Sequence, residues 1–80
     1  MSIYYVYAYL RESDGTPYYI GKGKNNRAFR PHTYVSVPNN HTKIIFLEHN
    51  LEENKALQME IEYIKLYGRK NIGTGILHNL

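Results

Sequence analysis

Eighty residues leave room for one domain with a thin core, and none for a separate cofactor lobe. The absence of cysteine excludes disulfides and thiolate zinc sites. Lys and Arg number 10 against 7 Asp and Glu, a net charge of +3 that is too mild to identify a partner by itself.

No apolar run approaches the roughly 20 residues a membrane helix needs, and no charged segment followed by an apolar run opens the chain. The expectation is therefore a soluble, cytoplasmic protein with no membrane partner. Composition carries one further signal, nine Tyr with no Trp. Tyrosine favours strands and keeps a polar tip that can work at a wet surface.

Tyr4 to Leu10 is dense in Tyr and Val and predicts a strand. Ser13-Asp14-Gly15-Thr16-Pro17 is turn chemistry, with Gly15 free to take positive φ. Tyr18-Tyr19-Ile20 predicts a second strand, so the two runs form an antiparallel hairpin. Gly21 to Asn26 follows as a flexible, basic loop. Asn25 or Asn26 is placed to cap a short helix through Arg27, Ala28, Phe29 and Arg30, which Pro31 ends.

His32 to His41 reads as an irregular crossing, and Lys43 to Leu47 as a third strand. Asn50 with Glu53 has the spacing of a capping box. Leu57, Ile61 and Ile64 then form a helical apolar stripe. Gly68 stops that helix, with Lys65, Arg69 and Lys70 near its negative end. Asn71 to Leu80 reads as loop with a closing segment. The expected fold is α+β: a small three-stranded antiparallel sheet flanked by helices, one domain over residues 1–80.

Charge placement says more than net charge. Lys22, Lys24, Arg27 and Arg30 fall within nine residues that hold no acid. Such a cluster suits phosphate contact, although a solvated loop has the same composition.

Tyr5-Val6-Tyr7, eleven residues, then Tyr19-Ile20-Gly21 resembles the paired signature of the GIY-YIG nuclease family. The continuation resembles it too: Gly21-Lys22-Gly23, Arg27, His32, Glu60 with Ile64-Lys65, and Asn79. The resemblance spans essentially the whole chain in order. It departs from the family pattern in three places. Tyr5 stands where the signature has Gly, the gap between the tyrosines is slightly long, and Arg27 and His32 are five apart with Pro31 between them.

The resemblance implies a metal-dependent endonuclease hydrolysing DNA phosphodiester bonds. It implies one Mg²⁺ or Mn²⁺ held by Glu60, with Tyr7, Tyr19, Lys22, Arg27, His32 and Asn79 in the site. Tyr19 resembles the general base and Tyr7 a positioning group. DNA is the implied partner, contacted by Lys22, Lys24, Arg27 and Arg30, with a separate recognition domain or partner outside this chain.

Each residue has a plainer reading. Helix geometry puts Glu60 about 60° and Glu62 about 140° from Leu57 at about 100° per residue, so Glu60 borders the stripe and Glu62 faces water. Glu60 is then either a metal ligand or a rim residue bridged to a lysine. Tyrosines on paired strands commonly just pack, and Tyr4, Tyr5, Tyr9 and Tyr18 read that way. Tyr19 needs a cation to lower its pKa, and Lys22 is the candidate. Tyr18, its neighbour on the strand, should face away from it. His32 is a proton carrier or a surface hydrogen-bond group. Asn79 serves the site or ties the tail to the core. Gly21 and Gly23 let backbone and phosphate approach. The rival to the enzyme is a non-catalytic nucleic-acid-binding module using the basic loop and exposed tyrosines. A weaker third reading is a protein-interaction domain anchored by the tyrosines.

Overall fold

A computed structural model describes residues 3–32, 35–69 and 75–79. Among these residues are three strands: β1 (Tyr4–Leu10), β2 (Pro17–Lys24) and β3 (Ile44–Leu51). They form one antiparallel sheet in the order β2-β1-β3. One long helix among the described residues, α1 (Glu53–Tyr67), follows. The α+β class with a three-stranded antiparallel sheet is as the sequence predicts.

Tyr5 to Tyr9 are all buried, which a one-sided sheet does not allow. The sheet is covered on both faces. Val6, Ala8, Ile20 and Leu77 pack against Ala56, Met59, Tyr63, Ile64 and Tyr67, so this face carries α1. Tyr5, Tyr7 and Tyr9 point the other way, with Ala28, Ile44, Val35 and Val37. That second layer is the segment between β2 and β3, anchored by a 3₁₀ turn over Arg27–Phe29.

The turn before β2 forms as expected. Gly15 has φ 75°, and Asp14 accepts from the Thr16 amide at 3.0 Å and the Thr16 hydroxyl at 2.7 Å. Several local expectations are corrected. β2 does not stop at Ile20: it runs through Gly21, Lys22 and Gly23 to Lys24, so the basic segment is mostly strand. The turn follows at Asn25, whose φ is 54°. Asn26 precedes the 3₁₀ turn without a side-chain cap bond. β3 begins one residue later than expected and runs to Leu51, because Lys43 closes a 3₁₀ turn capped by Asn40.

The capping box is also absent. Asn50 lies within β3 at φ 57°, and the residue preceding α1 is Glu52, which makes no side-chain cap bond. The helix does stop at Gly68, whose amide donates to the Ile64 carbonyl at 2.8 Å with φ 73°. Lys70 and residues 71–74 lie outside the described residues.

The apolar stripe is rotated from its expected position. Leu57 and Ile61 are each 45% exposed, while Ala56 is fully buried. The inward face is Ala56, Met59, Tyr63, Ile64 and Tyr67, again at helical spacing. Two tyrosines and an alanine do the packing that the sequence suggests for Leu57 and Ile61. No helix of the described residues is long and apolar enough to cross a membrane.

Candidate active site and basic groove

Tyr7 lies mid-strand on β1 with Gly21 opposite on β2. A Cβ at Gly21 would overlap the Tyr7 ring, and one at Gly23 would lie 2.7 Å from Arg27 Cβ. The two glycines therefore make room for protein side chains over β2. Gly23 also lines the basic groove described below. Substituting either would displace a candidate site residue.

Tyr19 is paired with Tyr9, and the rings stack at 5.4 Å and 28°. Between Tyr9↔Tyr19 and Leu10↔Pro17 the register shifts, leaving Tyr18 as the extra residue of a bulge. Tyr18 and Tyr19 consequently pack on the same face. The expectation that Tyr18 points away fails for this reason. The two still diverge at their tips: the Tyr18 hydroxyl donates to the Ser36 carbonyl, while the Tyr19 ring lies 5.1 Å from His32.

His32 joins the cluster. Its Nε2 is 3.1 Å from the Tyr7 hydroxyl, and its Nδ1 is 3.2 Å from Arg27 Nη2. A guanidinium can only donate, so Nδ1 accepts and the neutral ring carries its proton on Nε2. Nε2–H then donates to the Tyr7 oxygen. The Tyr19 ring packs beside Tyr7, with centroids 6.2 Å apart. The result is a directed run of hydrogen bonds, Arg27 to His32 to Tyr7, with Tyr19 packed against its end.

Burial, and secondarily Arg27, lowers the His32 pKa from 6.5 and keeps the ring neutral. Burial is the largest cause at the tyrosines also. It raises Tyr7 well above its ordinary range, with Tyr19 and Tyr9 adding to the effect, and Tyr9 is pushed up to about 12. Tyr19 is raised by burial and then by the Glu60 charge, while Arg27 pulls it down. The cation acting on Tyr19 is thus Arg27, in place of the expected Lys22. Tyr19 is protonated at neutral pH in this arrangement.

Lys22 sits opposite Val6, on the α1 side of the sheet. It forms an ion pair with Glu53 at 3.5 Å. Glu60 projects from the inward-turned part of α1 and is half-buried, while Glu62 is exposed. Burial raises the Glu60 pKa; the Lys22 charge and a hydrogen bond accepted from the Lys22 backbone oppose this. Glu60 is therefore near enough to Lys22 and to Tyr19 for the charges to be felt.

Asn79 is 7% exposed and spends both ends of its amide on one residue. Its Oδ1 accepts from the Ile20 amide at 2.9 Å, and its Nδ2 donates to the Ile20 carbonyl at 2.7 Å. The His78 amide bonds the Tyr18 carbonyl at 2.6 Å. Of its two readings, this is the tie between tail and core, and it covers an otherwise open strand edge.

Lys22, Lys24, Arg27 and Arg30 do come together. With Tyr4, Gly23, Asn25 and Asn26 they line an open groove of about 340 Å³. Lys22 and Lys24 lie 5.5 and 5.6 Å from the Tyr4 ring centroid. The role of Tyr4 as a seat for two cations has no separate signal in the sequence, since it depends on pairing Tyr4 with Lys24 across the hairpin.

Among the described residues no group of three or more His, Cys, Asp or Glu could hold a metal ion. A hydrated magnesium ion asks for less: one or two carboxylates, with waters and substrate phosphate completing the shell. The half-buried Glu60, which feels the charge of the groove residue Lys22, fits that demand. Comparison with protein-family models, with curated proteins and with solved structures finds no match to the chain.

Proposed function

We propose that this protein is a metal-dependent endonuclease acting on DNA phosphodiester bonds. The observation that carries the reading is the hydrogen-bonded run from Arg27 through His32 to Tyr7, with the Tyr19 ring packed against both Tyr7 and His32 and the Glu60 charge acting on Tyr19. The four-cation groove shares Arg27 with that chain, so phosphate binding and proton chemistry meet at one residue.

Phosphate displaces the weak bond between Arg27 and neutral His32, because a guanidinium prefers an anionic partner. The Nδ1 lone pair of His32 is then free to accept a proton. Tyr7, buried and protonated, holds the imidazole in place and orients Tyr19. The Tyr19 hydroxyl positions the attacking water. Glu60 would hold the Mg²⁺ or Mn²⁺, which supplies charge neutralisation on the phosphate and help for the leaving oxygen. A binding module without catalysis would explain the groove but has no need of a half-buried carboxylate near Lys22, which repels phosphate unless a cation intervenes.

The test is plasmid relaxation by the purified protein in Mg²⁺ and in chelator. Nicking or linearisation in Mg²⁺ alone is expected. Equal activity in chelator contradicts the metal; binding without cleavage in either condition favours the non-catalytic module.

A further inference from the structure

Two phenylalanines face solvent beside the basic groove. Phe29 is 42% exposed and Phe46 is 44% exposed, and their centroids are 6.1 Å apart at 56°. Phe29 follows the fully buried Ala28 in the 3₁₀ turn, so the turn that anchors Ala28 must present Phe29 outward. Phe46 stands on β3 opposite Tyr7 and meets the Tyr5 ring edge-on at 4.8 Å. Isolated exposed apolar residues need no explanation. Two touching rings drawn from different elements form a surface.

That surface is tied to the groove. Arg27 and Arg30 line the groove and bracket Phe29 in the chain. Tyr5, packed under Phe46, donates its hydroxyl to the Asn25 carbonyl at 2.8 Å and accepts from the Ala28 amide at 3.0 Å. A strand of alternating phosphates and bases could lay its phosphates along the groove and place a base on the phenylalanines. Only an unpaired base has a free face to stack; paired bases keep theirs inside the duplex.

The geometry points to Phe29 and Phe46 as a stacking platform for an unpaired nucleobase, so the preferred DNA is single-stranded or locally unpaired. The inference deepens the nuclease reading and rests on it. It names the substrate class for the same site, and Phe29 and Phe46 as residues that select it.

Binding in chelator separates recognition from cleavage. A labelled single strand and the same strand annealed to its complement are titrated by fluorescence anisotropy at one salt concentration. The single strand should bind more tightly. Phe29→Leu, which keeps apolar volume but removes the ring, should weaken single-strand binding by about fivefold to a hundredfold and leave duplex binding unchanged. Phe29→Tyr should restore it. Phe29→Leu bound to the single strand as tightly as wild type overturns the platform, and so does an equal loss on duplex. In either case wild-type cleavage of DNA would leave the nuclease reading standing. Failure of the wild type to bind any DNA at low salt would remove both.

Discussion

Tyr19 is the residue on which the proposal turns, because it packs against Tyr7 and His32 and feels the Glu60 charge. Tyr19→Phe keeps the ring that stacks on Tyr9 and deletes that hydroxyl. Single-turnover cleavage should fall by about 10²- to 10⁴-fold, with DNA affinity little changed. Tyr18→Phe should cost less than about tenfold. The bulge puts Tyr18 on the same face, but its hydroxyl is spent on Ser36. Equal losses would mean that both hydroxyls reach the substrate.

The site also makes a pH statement. His32 has a folded-state pKa below 6.5, so the folded protein binds that proton less readily than the unfolded chain. Its contribution to stability is present above pH 6.5 and is lost on acidification through the lowered value. Glu60 runs the opposite way. Its raised pKa contributes stability below the ordinary value of 4.5, which is lost as pH rises through the folded value. Urea unfolding between about pH 5 and pH 7 should show wild type losing stability on the acid side. His32→Gln should lose less. Identical slopes would contradict a neutral His32 held by Arg27.

At the level of elements, β2 organises the site. One side of it supports Tyr7 and Arg27 over Gly21 and Gly23, and its outer edge is closed by the tail. Asn79→Ala would leave two buried backbone groups of Ile20 unpaired. Such groups cost roughly 1–3 kcal/mol each, so the denaturation midpoint should drop clearly. Cleavage per folded molecule should change little. A large kinetic loss with unchanged stability would move Asn79 into the chemistry.

How far the sequence reaches is clearest at this scale. β1, the Gly15 turn and the Gly68 stop were legible because each follows from a local preference. The extension of β2 was not, because Gly-Lys-Gly-Lys has low strand propensity and is held by pairing with Tyr4 to Tyr7. The face of α1 was misread because Leu57 and Ile61 have helical spacing, but so do Ala56, Met59, Tyr63 and Tyr67. Only the shape of the sheet decides between the two sets. Glu60 was still placed inward relative to Glu62, since it lies between both candidate faces. The set Tyr7, Tyr19, Arg27 and His32 could be named from order along the chain. The direction of its hydrogen bonds, and the pairing of Lys22 with Glu53, required coordinates.

For the whole molecule, charge and cleavage separate two properties. Only four cations line the groove, and one of them, Lys22, is paired with Glu53, so DNA binding should be weak and strongly salt-dependent. At about 0.9 units of slope per phosphate neutralised, log affinity should fall with log salt at a slope of about −3 to −4. Removing Arg30 should reduce that slope by about one. Tight, sequence-specific binding at physiological salt would contradict recognition by this groove alone.

Catalysis through Glu60 is the central claim, and the comparison of Glu60→Gln with Glu62→Gln tests it most directly. The two carboxylates are two residues apart on α1, one half-buried and the other in solvent. Both variants are assayed for single-turnover cleavage of one DNA substrate in Mg²⁺, with circular dichroism to verify the fold. Glu60→Gln should abolish cleavage while the protein stays folded, and Glu62→Gln should cut like wild type. Undiminished cleavage by folded Glu60→Gln would contradict the account.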